Sequence, residues 1–520
     1  MITAQRIGLE ISNIGHDTWQ AIDATSAQKL AGDFTTATEK EVDLAVQKAA
    51  DAFEEYRSMP SEKRAAFLRT IADEIEALGD ILVQRVMQES ALAEARVRSE
   101  RARTTGQLRM FADLITDGSW VDAVIDHADA QRTPPKPDLR RMLHPLGPVV
   151  VFTASNFPLA YSTAGGDTAS AFAAGCPVIV KAHEAHPGTN ALVAEAILTA
   201  AQKTGMPDGV FSTLYAKDFT VGVRLVTHPL IKAVGFTGSH TGGRALFDLA
   251  VKRKSPIPVF AEMSSINPIF LLPDTVQKNP ESLASQIAAS VNLGAGQFCT
   301  CPGLVIALDD AHILGFIELL KRAFDGYTPL TMLHSGIQEN YIKRKSGFLD
   351  TSGVGTEYLQ ADNHKAGPTI ASVSASDFLL NPRLQEEVFG PFTMIVKCAD
   401  SAEMQDVALH IHGQLTMTLC GSEKDLASAL PLIELLREKA GRLVFNGVPT
   451  GVEVCNAMVH GGPYPATTDS RFTAVGSSAI RRWIRPVAYQ NCPQELLPDA
   501  LKDENVLGIW RMVDGVLRKV

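Results

Sequence analysis

From Thr38 the chain reads TEKEVDLAVQKAADAFEEYRSM, in which apolar residues return at helical spacing behind Thr38 and Glu41, a pair suited to a capping box. A second helical stretch, SEKRAAFLRTIADEIEALGDILVQRVM, follows Pro60, and an arginine-rich third one runs from Ala91 to Leu114. The first 115 or so residues are therefore expected to be mostly helical. After the proline-rich QRTPPKPDLRRMLHPLG, read as a connector or sheet edge, the period changes. Short β-rich runs (PVVVFT from Pro148, PVIVKA from Pro177, VFSTLY from Val210, KAVGFTG from Lys232) alternate with Ala-rich stretches long enough for crossover helices. That alternation predicts a parallel sheet with helices on its faces, as in nucleotide-binding α/β domains. A second series (NPIFLL, GLVIAL, FTMIVK, TMTLCG, RLVFNG) starts at Asn267 and predicts a second α/β domain.

Composition narrows the class. A chain of 520 residues, 45% hydrophobic and 20% charged, has the make-up of a globular protein of several domains. Its net charge of -10, without a long basic run, argues against nucleic acid as a partner. No stretch reaches the roughly 18 apolar residues of a membrane span, and MITAQRIGLEISNIGHD lacks the features of a secretory signal. A cytoplasmic protein without membrane partners is expected. Seven scattered cysteines suit a reducing compartment, so a special cysteine is a candidate nucleophile rather than half of a disulfide.

Cys299, in Gly294-Ala-Gly-Gln-Phe-Cys-Thr-Cys-Pro-Gly303, stands among small residues just before an apolar run. Small neighbours leave a sulfur approachable, although a buried inert cysteine has the same look. Glu262 ends the β-rich PVFAE, where it is either a general base or a solvated strand terminus. Asn156 follows PVVVFT and could donate to an oxyanion or cap a helix. The glycines of GFTGSHTGG, Gly235 to Gly243, could admit a pyrophosphate at a helix N-terminus, and Lys181 and Glu184 end the run PVIVKAHE, where a ribose would lie. His183 and His186 are three apart with no third ligand nearby in sequence, so no metal is expected there.

Taken in order, SNFPL, KAHE, FTGSHTGG, GQFC and Glu386-Glu-Val-Phe-Gly-Pro391 resemble the aldehyde dehydrogenase superfamily, from about Thr35 to Arg485. The resemblance implies a Rossmann-like cofactor domain (1–133 and 148–262), a catalytic domain (263–456), bridging or oligomerisation strands (134–147 and 477–495) and a C-terminal extension (496–520). It also implies a homodimer or homotetramer. By it, Cys299 is the nucleophile and Glu262 the base for deacylating water, while Asn156 and the Cys299 N–H form the oxyanion hole. NAD or NADP, with a lean to NAD, is expected to contact Lys181, Glu184, Gly238, Ser239, Gly243, Glu387, Phe389, Thr153 and Ser155. The family commonly has Leu-Gly-Gly after its glutamate where this chain has Met263-Ser264-Ser265, and a small polar residue and Glu where it has His240-Thr241.

HGGPYPATTDSRFTAVG from His460 and AIRRWIRPVAYQNCPQELLP from Ala479 resemble the branch of the superfamily that oxidises 2,5-dioxopentanoate. That substrate needs its far carboxylate held, and Arg103 and Arg471 are candidates, with Phe157 beside them. Fatty aldehydes are the alternative substrates. A structural or binding protein that keeps the fold is an alternative class, and a cofactor-free cysteine hydrolase would need a partner histidine, which nothing in the sequence nominates.

Overall fold

The computed structural model describes residues 3–361 and 365–519, so the outermost ends of the first and last expected portions and residues 362–364 of the catalytic one lie outside the described residues. Helix Glu39–Tyr56 opens on the expected capping box: the Thr38 hydroxyl accepts from the Glu41 N–H, and the Glu41 carboxylate accepts from the Thr38 N–H at 2.8 Å. Its apolar stripe, Val42, Ala45, Val46 and Ala49, is buried against Val150, Ile179 and Leu214 of the neighbouring sheet. The next helical run divides into Ser61–Ala77 and Gly79–Ser90, because Gly79 adopts a positive φ that interrupts the turn. Helix Glu94–Asp117 packs on Ser61–Ala77 and ends at Gly118.

The first sheet has the strand order Val259–Glu262, Ala233–Thr237, Val149–Phe152, Val178–Lys181, Phe211–Leu214, Gln5–Ile7, Glu10–Ser12. The first five are parallel and the last two antiparallel. These last two, with the hairpin Thr18–Ile22/Lys29–Thr35, correct the expectation of a mostly helical start: the helices begin only at Glu39, and the strands before it are held by pairing with one another and with Phe211–Leu214 rather than by a local helical period. Val149–Phe152 and Val178–Lys181 are covered on both faces, which is why they read as unbroken apolar runs. Strand order reverses between Val149–Phe152 and Ala233–Thr237, and at such a reversal the carboxyl ends of the strands leave a crevice. The second sheet runs Gly355–Leu359, Thr369–Ser374, Phe392–Cys398, Leu304–Leu308, Ile269–Leu271, Gln414–Cys420, Ala440–Phe445 and is parallel except at its first strand.

A third sheet pairs Ile484–Gln490 with Leu139–Pro145, as the bridging assignment leads one to expect, but it also takes in Val124–Asp126, Arg511–Val513 and Val516–Arg518. These added strands come from stretches assigned to the cofactor portion and the C-terminal extension. Each has three residues, too few for an alternating pattern to register. A buried ion pair, Arg482 to Asp167 at 2.5 Å, ties the segment before Ile484 to helix Gly166–Ala174 of the first domain. Among the described residues no helix is long and apolar enough to cross a membrane.

Candidate active site

Asn156 sits in the turn after strand Val149–Phe152, and that turn is held from a distance: the buried Glu100 carboxylate accepts from the backbone N–H groups of Leu159 and Ala160, each at 2.9 Å. The Asn156 amide donates to the Gln297 carbonyl at 3.1 Å, which places it beside the cysteine loop. Thr153 is buried and its N–H donates to the Lys181 carbonyl, while Ser155 is half-buried next to Asn156.

The cysteine loop coils through three successive left-handed residues, Gly294, Ala295 and Gly296. Gly296 has no alternative, since a Cβ there would stand 2.2 Å from the backbone of Gly390. That close approach joins GQFC to the EEVFGP segment. Asn267 holds the loop from the other side, its amide donating to the carbonyls of Cys299 at 2.8 Å and Cys301 at 3.0 Å. The two sulfurs part company: Cys301 packs against the apolar cluster of the second domain, whereas Cys299 Sγ faces His460 and Glu262.

Glu262, the last residue of its strand, lies alongside Thr237, and its carbonyl accepts from the Gly238 N–H at 3.0 Å. Its side chain is buried, and His460 Nε2 stands 3.0 Å from Glu262 Oε1 and 3.4 Å from Cys299 Sγ. One sulfur, one nitrogen and one carboxylate oxygen thus lie within 4.8 Å of one another. Burial pushes the Cys299 thiol well above its ordinary range, and the negative charge of Glu262 adds to the effect, with Arg103 opposing it. His460 is a histidine neighbour of the cysteine that nothing in the sequence nominates. It is 161 residues away in sequence, and its HGGP context carries no histidine signature.

Along the carboxyl edge of the first sheet, Ser239 caps helix His240–Val251 and accepts from the Gly242 N–H. Gly243 lets Met263 approach so closely that a Cβ would meet its side chain at 2.7 Å. Lys181 Nζ lies 3.6 Å from Glu184, and burial lowers the lysine's pKa. Glu387 and Phe389 line a cavity with Ser265, Gly296 and Cys301, and burial raises the Glu387 carboxyl to about 7 against a hydrogen bond from Ser264. His183 and His186 stack with ring centroids 5.6 Å apart, and His186 Nε2 is engaged with the Ala154 carbonyl.

Of the two arginines expected to hold a substrate carboxylate, only Arg103 lies near the cluster, where its charge acts on Cys299. Its guanidinium lies over the Phe157 and Tyr161 rings and donates to the Tyr161 hydroxyl at 3.3 Å. Among the described residues no carboxylate pairs with it. Arg96, unremarked in the sequence, lies 4.5 Å from both the Phe157 and Phe298 ring centroids. Arg471 is not brought to the site: its side chain is 79% exposed and is held by Asp469 two residues earlier.

Two linked parallel-sheet domains, with a dinucleotide-type crevice in one and a part-buried cysteine beside a carboxylate and a histidine, define a two-domain α/β enzyme of the nucleotide-binding class. Residues 15–464 match the aldehyde dehydrogenase family, and the chain belongs to it. It is an oxidoreductase that oxidises an aldehyde with NAD or NADP. Alpha-ketoglutaric semialdehyde dehydrogenase 2 of Azospirillum brasilense is 48% identical over 98% of this chain and 98% of its own length. The alpha-ketoglutaric semialdehyde dehydrogenase of Acinetobacter baylyi is 45% identical over 99% and 98%. The fold is that of a 1-pyrroline-5-carboxylate dehydrogenase (TM-score 0.79, 20% identity, 94% and 92% covered) and of a Staphylococcus aureus betaine aldehyde dehydrogenase (TM-score 0.80, 19%, 95% and 97%).

Proposed function

We propose that this enzyme oxidises 2,5-dioxopentanoate, the semialdehyde of 2-oxoglutarate, to 2-oxoglutarate through a thioester on Cys299. The observation that carries the reading is the placement of Cys299 Sγ beside Glu262, with the Asn156 amide at the neck of the same loop and the unpaired Arg103 close by. The two alpha-ketoglutaric semialdehyde dehydrogenases, similar over nearly their whole length, support the substrate.

In this scheme the Cys299 sulfur bonds to the aldehyde carbon, and the carbonyl oxygen takes the electron pair as an oxyanion. Asn156 Nδ2 and the Cys299 N–H donate to that oxygen. The nicotinamide, when bound, supplies the acceptor for the hydride that leaves the carbon. The thioester remains on Cys299, and Glu262 takes a proton from the water that cleaves it. The Glu262 side chain is buried beside the sulfur, with His460 Nε2 3.0 Å from Oε1, which places a carboxylate where that proton has to go.

The residues present fit a dinucleotide. Helix His240–Val251 aims its N-terminus at the crevice, Gly238 and Ser239 leave its backbone approachable, and Lys181 ends the next strand but one with Glu184 just beyond it. Glu184 beside Lys181 favours ribose hydroxyls over a 2′-phosphate, which is the basis for a preference for NAD. The open edge strand Ile484–Gln490 supports self-association into a homo-oligomer, and seven free cysteines accord with a reducing compartment such as the cytoplasm. The test is NAD(P)H formation with 2,5-dioxopentanoate and pentanal: kcat/KM for the former is expected to be more than about tenfold higher, from one charge-assisted pair. Cys299→Ala should abolish it while Cys301→Ala keeps most of it, and equal loss in both would sink the thioester assignment.

A further inference from the structure

Cys299 is a thiol at rest, because burial and the Glu262 carboxylate both oppose a second negative charge beside them. Nucleophilic attack requires the thiolate, so some group must take the proton as the S–C bond forms. Two bases stand within reach, Glu262 and His460. If Glu262 took the thiol proton it would enter the hydrolytic half of the turnover already protonated and unable to activate water. His460 Nε2 lies 3.4 Å from the sulfur and 3.0 Å from Glu262 Oε1, so a proton moved onto that nitrogen rests between two negative groups that both stabilise it. Glu262 stays ionised for its own step.

The ring is held for this task. His460 is 1% exposed, its backbone N–H donates to the Thr473 hydroxyl at 2.8 Å, its carbonyl accepts from the Ala474 N–H, and Tyr161 packs 6.2 Å away, centroid to centroid. Nδ1 has no hydrogen-bond partner among the described residues. The Glu262 carboxylate, 3.0 Å from Nε2, is the protein group that bears on the tautomer, and Nε2 accepts from the thiol in the form that carries its proton on Nδ1. The other charged or titratable groups acting on the sulfur are Arg103 from helix Glu94–Asp117, Glu387 from the loop before Phe392–Cys398, Tyr161, and Arg442 from Ala440–Phe445. None of these is a base within reach of Sγ in a hydrogen bond the structure shows.

We propose that His460 is a catalytic base that removes the Cys299 thiol proton, an assignment that rests on the thioester reading above. The Sγ–H bond breaks and Nε2–H forms, the sulfur electron pair bonds to the aldehyde carbon, and the oxygen becomes the oxyanion. When water cleaves the thioester, the departing sulfur takes the proton back from Nε2. The water hydroxyl stays on the acyl carbon, its other proton leaves by way of Glu262, and the imidazole is neutral again.

The experiment measures Cys299 alkylation by iodoacetamide against pH without cofactor, and the NAD(P)H burst in single-turnover mixing with 2,5-dioxopentanoate. His460→Gln should alkylate at least about tenfold more slowly at neutral pH, with the gap closing as alkali ionises the thiol directly. Its burst should slow by roughly 10²–10⁴-fold, the span of general base catalysis. Glu262→Gln should keep a burst and lose the steady-state rate. A His460→Gln profile matching wild type, or loss of the burst in Glu262→Gln alone, would overturn the proposal. A burst that survives in Cys299→Ala would instead overturn the thioester reading itself.

Discussion

Arg103→Ala tests the substrate most directly, because Arg103 is a half-buried guanidinium that no carboxylate of the described protein neutralises. It donates to the Tyr161 hydroxyl at 3.3 Å, and its buried Nε has no hydrogen-bond partner among the described residues. A substrate carboxylate would satisfy donors that are otherwise unspent. A charge-assisted hydrogen bond of this kind contributes about 1.5–3 kcal/mol, which at 1.4 kcal/mol per decade is roughly ten- to hundredfold in kcat/KM. The substitution also removes packing over Phe157 and Tyr161, a loss that falls on every aldehyde. The informative quantity is therefore the ratio of kcat/KM for 2,5-dioxopentanoate to that for pentanal, measured by NAD(P)H formation in wild type and variant. The ratio is expected to fall by that factor in Arg103→Ala and to stay unchanged in the exposed Arg471→Ala. Arg103→Lys should give an intermediate ratio, since it keeps the charge and loses the planar fork. A wild-type enzyme that prefers pentanal, or an Arg103→Ala variant that loses both substrates equally, would refute the reasoning.

Other outcomes follow from the same geometry. Burial holds the Glu387 carboxyl up at about 7, so it is protonated below that pH and ionised above it. If it accepts from ribose hydroxyls, kcat/KM for the cofactor should rise as pH climbs through about 7, and Glu387→Gln should flatten that rise. Removing Glu184 leaves Lys181 without its carboxylate 3.6 Å away, so Glu184→Ala should move the NAD/NADP ratio of kcat/KM toward NADP, and an unmoved ratio would take Glu184 away from the ribose. Asp167→Asn leaves the Arg482 guanidinium buried and uncompensated, which should cost about 3–5 kcal/mol in denaturant unfolding; a change within error would mean that the pair carries no net stability.

Local pattern was enough for the elements that repeat it. The apolar runs of Val149–Phe152 and Val178–Lys181 are legible because both faces of each strand are covered, and the Thr38 capping box because its partners are three residues apart. The ordered motifs led to Cys299 and Asn156, and the resemblance that they carry led to Glu262; the fold sets Glu262 beside the Cys299 sulfur and the Asn156 amide on the cysteine loop. The three-residue strands of the third sheet escaped notice, being shorter than any period, and the break at Gly79 was hidden inside a continuous helical pattern.

What the tertiary structure alone decided is which distant residues share a volume. Glu100 holds the Asn156 turn from 59 residues away, Asn267 grips the cysteine loop across 32, and His460 meets Cys299 across 161, contacts that no helical or strand period encodes. The same holds for the two arginines, alike in sequence. Helix Glu94–Asp117 carries Arg103 onto Tyr161 without a countercharge, while Asp469, two residues from Arg471, draws that side chain back to the surface. Residue type sets what a side chain can do chemically, but the chain path sets its neighbours and its access to water, and those determine whether its charge or its proton is available.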